Sequence, residues 1–239
     1  MDLVFKYGGV LNIPDYNCSA LPEKDRVGMK RPYLGTISIV YGIIATLLFL
    51  PCLKVCLTPN LIKLSCYKIM FFVGVVDVGA IFMCSILTGW LALHGAVFCN
   101  YPRMIYYFGE FGLCAWLCSC LANILLLINR ILNFKSPNLA DTIFEGRKTI
   151  YLLTLPVIYG LYSAIFTRTI CFNSTYYAWF FDPFIFPDNR YDYSNDLHSF
   201  NNLAVVICTC FLYMYVGFMV IIQWGKSEVQ SFSKKVGFL

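Results

Sequence analysis

Apolar residues fall into five long runs separated by short polar segments, at positions 36–53, 69–93, 104–128, 149–167 and 203–224. A helix rises about 1.5 Å per residue, so each run approaches or exceeds the ~30 Å thickness of a bilayer's hydrocarbon core. The third run is the clearest. Twenty-six residues separate Arg103 from Arg130, and among them only Glu110 is charged. Along it Gly109, Gly112, Trp116, Ser119, Asn123 and Arg130 recur at three, four and seven residues, so one stripe is small or polar while the rest is Leu, Ile, Phe and Cys. In lipid such a stripe faces other helices. The pattern predicts an all-α membrane protein, a bundle of five transmembrane helices over 36–224. A tail over 1–35, expected to be loosely ordered, precedes it, and a basic tail over 225–239 follows.

Composition agrees with that pattern: 59% of the residues are apolar and 13% charged, against roughly 25% charged in soluble domains. The net charge of +5 is therefore read as loop charge that sets orientation, and no basic run is long enough to argue for nucleic acid. With the N-terminus outside, the inner segments carry ten basic residues against Asp141, Glu145 and Glu228, while the outer segments carry eight of each sign. The two N-x-S/T sequons, at Asn17 and Asn173, both fall outside in this arrangement and are expected to be glycosylated. The expected location is the plasma membrane.

Within the chain, Pro51 is expected to end the first helix, and Pro156 to kink the fourth. The outer loop over 170–200 is dense in aromatics (Tyr176, Tyr177, Trp179, Phe180, Phe181, Phe184, Phe186, Tyr191, Tyr193), carries Pro183 and Pro187, and ends with Asp188, Asp192 and Asp196. It fits equally an aromatic belt on the headgroups or a lid over the bundle mouth. Asp77 is costly in lipid without a partner. It lies eight residues from Ile69, and Asn123 seven from Arg130, which places both roughly 10–12 Å above the inner ends of antiparallel helices. Asp77, Ser119 and Asn123 are thus expected to form a polar core.

Enzymatic chemistry lacks its parts. There is no Walker loop, no G-x-S-x-G, no H-E-x-x-H and no pair of C-x-x-C motifs, and His94 and His198 are the only histidines. No catalytic residue, metal or cofactor is expected. Asp77 and Glu110 sit at different depths, so a shared-proton acid pair is not expected either.

Several strings together resemble the nematode serpentine chemoreceptors of class T. They are Tyr16-Asn17-Cys18-Ser19, Arg31-Pro32-Tyr33-Leu34-Gly35, Leu50-Pro51-Cys52-Leu53, and Cys66-Tyr67-Lys68-Ile69-Met70-Phe71-Phe72 with Asp77. Thr88-Gly89, Gly95-Ala96-Val97-Phe98-Cys99 and Leu127-Ile128-Asn129-Arg130 complete the set. The resemblance covers nearly the whole chain. It implies a rhodopsin-like seven-helix receptor with an outer N-terminus, coupled to a heterotrimeric G protein, of which helices six and seven are not found in these residues. Asn129-Arg130 stands where such receptors carry an acidic residue before the arginine, so the G-protein-facing Arg130 lacks its usual carboxylate. A small environmental ligand is expected near Trp90, Tyr106, Glu110 and the aromatic loop. The resemblance also implies a disulfide from Cys99 to Cys171, with Cys18 as a competing partner.

Read this way, the chain is a truncated chemoreceptor-family protein with impaired signalling. The alternative is a non-signalling membrane protein that associates with full-length receptors, and a transporter built on Asp77 and Glu110 comes third. The helix faces left bare favour association with other receptor subunits or retention in the endoplasmic reticulum.

Overall fold

The computed structural model describes residues 1–20, 26–185 and 193–236, with side chains for all of these except residue 20 and residues 225–236. Phe186, Pro187, Asp188, Tyr191 and Asp192 of the loop lie outside the described residues, as do the side chains of the basic tail.

Among the described residues five helices are long and apolar enough to cross a membrane. They are α2 (Pro32–Cys56), the rod made by α3 (Ser65–Ile81) and α4 (Thr88–Leu93), α5 (Pro102–Lys135), α7 (Lys148–Phe166) and α8 (Asp196–Val236). Two shorter helices join them, α1 (Asp2–Tyr7) at the start and α6 (Pro137–Phe144) between α5 and α7. Proline opens α2, α5 and α6 at the first helical position, where its missing N–H has no intrahelical partner to lose. The helices extend past the apolar runs because their polar end turns still form helix. Pro51 lies inside α2 rather than at its end; neighbouring helices and local adjustment can satisfy the freed backbone group.

Between α3 and α4 the rod passes through one π-helical stretch, Phe82–Leu87, where the Thr88 hydroxyl donates to the Met83 carbonyl at 2.9 Å. Just beyond it α4 meets α2 backbone to backbone. A methyl on Gly35 would stand 2.7 Å from the Gly89 carbonyl oxygen, and one on Gly89 2.6 Å from that of Gly35. Small residues at a membrane-helix crossing allow this approach.

Two clusters form the core. One, at the end of the bundle that carries the 171–180 loop, gathers Tyr16, Phe98, Tyr106 and Phe172, each 0–1% exposed. The other, toward the opposite end, gathers Ile69, Val73, Ala122, Phe144 and Leu153. The N-terminal segment is built into the first cluster, which corrects the expectation of a loose tail. Short 3₁₀ turns at Val10–Asn12 and Pro14–Tyr16 bring Val10, Ile13 and Tyr16 onto one buried face. Their spacing of three is the 3₁₀ repeat, in which residues i and i+3 eclipse.

Candidate functional site

The aromatic loop folds over the end of the bundle. Strands β1 (Cys171–Asn173) and β2 (Ala178–Phe180) pair antiparallel, Phe172 opposite Trp179. Hydrogen bonds clamp the hairpin to the helices and to the turn after α4, one of them from the Tyr177 hydroxyl to the Leu34 carbonyl at 3.3 Å. Trp179 Nε1 donates to Thr88 Oγ1 at 2.9 Å, Arg31 Nη2 to the Thr175 carbonyl at 2.7 Å, and the Ser174 amide to the Ala96 carbonyl at 2.9 Å. Phe172 beneath it is fully buried. The hairpin thus packs onto the end of the bundle.

The N-terminal segment closes the same end from the other side. Arg168 pairs with Asp15, and Tyr193 donates its hydroxyl to the Asp15 carbonyl at 2.8 Å while its ring lies 5.5 Å from the Arg168 guanidinium. Burial opposes charge on Arg168, yet the hydrogen bond and charge of Asp15 outweigh it and hold the guanidinium above its ordinary pKa. Tyr16 stacks edge-on against Tyr106 at 5.2 Å, and burial pushes its phenol well above the usual range, so it stays neutral.

Packing of this segment also decides the disulfide. Cys18 is bonded to Cys99 with their Cα atoms 5.7 Å apart, whereas Cys171 is a free, buried thiol. The expected Cys99–Cys171 pairing is thereby corrected. Tyr16 sits against Phe98, and two residues beyond Tyr16 and one beyond Phe98 the two sulfurs meet. Burial, reinforced by the charges of Asp182 and Glu110, raises the Cys171 pKa well above that of a free thiol, so Cys171 remains unreactive.

At this end of the bundle lies Glu110, 3% exposed. Its Oε1 accepts from the Met1 ammonium at 3.0 Å, and the same nitrogen donates to the Ala164 and Ile165 carbonyls, each at 3.0 Å. Tyr106 stands one turn earlier on α5, buried, with its hydroxyl interacting with the carboxylate. Oε2 of Glu110 is buried and receives no hydrogen bond in normal geometry among the described residues. Tyr106 and Glu110 are thus together. Trp90 belongs to the edge of the same cluster but turns to His94 and Tyr101, with ring centroids 4.2 and 5.4 Å away.

Midway down the bundle Ser119 donates to Asp77 Oδ1 at 3.2 Å, and Asn123 Nδ2 reaches Ser119 Oγ at 3.2 Å. Asp77 and Asn123 are linked through Ser119. At the far end Asn129 is fully buried and donates to Ser65 Oγ at 2.9 Å. Arg130 beside it is exposed, makes no ion pair among the described residues, and borders an open groove of about 160 Å³ with Phe134, Tyr215 and Met219. Its guanidinium points its Nη2 toward the Met70 sulfur at 3.5 Å.

The sequons differ in access. Asn17 is exposed, but Asn173 is 8% exposed, and its side-chain oxygen accepts from the Thr175 amide at 2.9 Å. The folded hairpin thus nearly closes over Asn173, whereas Asn17 stands open. Tyr16, Asp15 and Arg168 were not anticipated from the sequence; the apolar spacing of three at 10, 13 and 16 was the available signal. Among the described residues no group of His, Cys, Asp and Glu is arranged to hold a metal ion.

A family model described as the serpentine-type seven-transmembrane G-protein-coupled chemoreceptor Srt matches residues 3–237. Serpentine receptor class T-55 of Caenorhabditis elegans is 27% identical over 231 residues, which make up 94% of this chain and 61% of that protein. The chain therefore spans about three fifths of the length of this curated relative. No solved structure is significantly similar.

Proposed function

This chain belongs to the Srt family of serpentine seven-transmembrane chemoreceptors, and we propose that it receives a small environmental molecule at the hairpin end and faces a heterotrimeric G protein at the Arg130 end. The family is one of receptors, not of enzymes. The hairpin end faces the outside of a plasma membrane, with Asn17 carrying a glycan and the basic loops inside.

One observation carries the reading: the two ends of the bundle are built differently. The hairpin end is capped by the aromatic loop and the N-terminal segment over Tyr106 and the buried Glu110, an apolar surround with a few polar groups of the kind that orients a small ligand. The other end leaves Arg130 exposed beside an open groove, as a docking face requires. Signalling additionally needs an element with two arrangements that a ligand can bias. The class-T resemblance assigns that movement to a sixth helix, and the described residues hold five helices long and apolar enough to cross a membrane.

Residues 1–239 expressed alone with a promiscuous G protein are accordingly expected to give no ligand-driven calcium signal and to reach the surface poorly, with retention in the endoplasmic reticulum. A robust ligand-dependent response from these residues, abolished by Arg130→Ala, would overturn this. A second reading, association with full-length receptors without signalling, is favoured by α8, whose most apolar 18-residue stretch has no buried residue. Co-purification with an intact receptor in place of a G protein would select it.

A further inference from the structure

Three acceptors converge on one point at the hairpin end, and their arrangement specifies a ligand chemistry. We propose that Glu110 and the terminal carbonyls of α7 form a recognition site for a protonated primary amine with an apolar body. This rests on the reading of the hairpin end as the ligand-receiving end, and it names the ligand class. In the structure the site is occupied by the Met1 ammonium, which stands 3.0 Å from Glu110 Oε1, the Ala164 carbonyl and the Ile165 carbonyl.

The acceptors are there for reasons independent of Met1. Ala164 and Ile165 lie in the last turn of α7, which ends at Phe166, and carbonyls in a last turn have no following amides to bind within the helix. That end also carries the negative pole of the helix dipole. Glu110 comes from a different helix, is 3% exposed, and keeps a second oxygen buried without a hydrogen bond among the described residues. A carboxylate so placed, with the Tyr106 hydroxyl beside it, holds its charge best with a cation against it. Arg168, a nearby alternative, is engaged with Asp15.

The geometry discriminates among cations. A primary ammonium carries three N–H donors, one for each acceptor, whereas a quaternary ammonium has none and cannot approach to 3.0 Å. A guanidinium is planar, and its donors diverge. The ligand's body should be apolar, because Leu3 and Val4, which follow the occupying amine, pack against the buried aromatic cluster.

The test uses the purified chain in lipid nanodiscs with isopentylamine, isopentanol and isopentyltrimethylammonium as probes. Isopentylamine is expected to raise the melting temperature and to speed removal of Met1 by a broad-specificity aminopeptidase, since it competes for the acceptors that shelter the terminal amine. The alcohol and the quaternary ion are expected to do neither. Glu110→Gln should weaken the amine about tenfold, the scale of one charge-assisted hydrogen bond, and Glu110→Asp should restore part of the loss. Equal effects from the quaternary ion, or an amine effect undiminished in Glu110→Gln, would overturn the proposal. A shift with isopentanol and none with isopentylamine would also overturn it, while leaving reception of small molecules at this end intact. No effect from any probe on melting or on trimming rejects it in the same way.

Discussion

Gly160→Ala puts the close packing of α7 on α5 to the test. The helices α5 and α7 pack against each other extensively, and Gly160 on α7 lies directly over α5. An added Cβ would stand 2.6 Å from the Cys114 carbonyl oxygen, 3.1 Å from its sulfur and 3.2 Å from the Cys118 Cβ. The first of these is backbone and cannot rotate away, so relief requires α5 and α7 to part by about 0.8 Å, from 2.6 Å to the ordinary 3.4 Å. A gap of about 0.5–1 Å forfeits a quarter to a half of each dispersion contact across it, and overpacking of this kind costs about 1–3 kcal/mol. Alanine's better helix propensity returns at most about 1 kcal/mol. Gly217 supplies the control, since a methyl there meets nothing within 4 Å; Gly217→Ala should be neutral or mildly stabilising. Thermal unfolding in detergent is followed by alkylation of Cys118, which is buried at the interface, and read by peptide mass spectrometry. Gly160→Ala should expose Cys118 at a lower temperature than the parent chain, and Gly217→Ala should not. Coincident curves for all three proteins would refute the backbone contact and with it the α5–α7 packing described here.

Non-reducing peptide mapping is expected to recover Cys18 linked to Cys99; a Cys99–Cys171 peptide would reject the observed packing of the N-terminal segment. The bond closes a separation of 81 residues, for which loop entropy gives at most about 4.5 kcal/mol, less where the helices stay in the bilayer when the fold opens. In a eukaryotic membrane system Asn17→Gln should abolish the endoglycosidase-sensitive gel shift and Asn173→Gln should leave it; a shift that survives Asn17→Gln would place the glycan elsewhere. Asp77→Asn and Ser119→Ala should couple by about 0.6 kcal/mol or somewhat more, the scale of hydrogen bonds between membrane helices. Strict additivity in a double-mutant cycle of thermal stability would remove that bond from the account.

The membrane helices could be read from the sequence because a run of about twenty apolar residues has one low-energy solution in lipid. Depth along such a helix is a residue count, so Asp77 and the polar stripe of α5 could be set at matching levels before any coordinates. Azimuth is not a count, and this separates Trp90 from Glu110: both lie toward the hairpin end, but Trp90 turns to His94 and Tyr101. The N-terminal fold was hidden for a related reason. Its apolar residues recur at three over a stretch of seven, Val10 to Tyr16, too short for a helical pattern to register and legible only as successive 3₁₀ turns. Once that segment is docked, the remaining departures follow from it. Tyr16 wedged against Phe98 and Tyr106 delivers Cys18 to Cys99, which leaves Cys171 unpaired, and Asp15 becomes the partner of Arg168. The least legible part is the amine site, since two of its three acceptors are main-chain carbonyls that any residues at positions 164 and 165 would present. What the sequence could disclose there was one carboxylate alone in an apolar helix. A lone Glu110 in lipid demands a cationic partner, and the identity of that partner depends on where α7 happens to end.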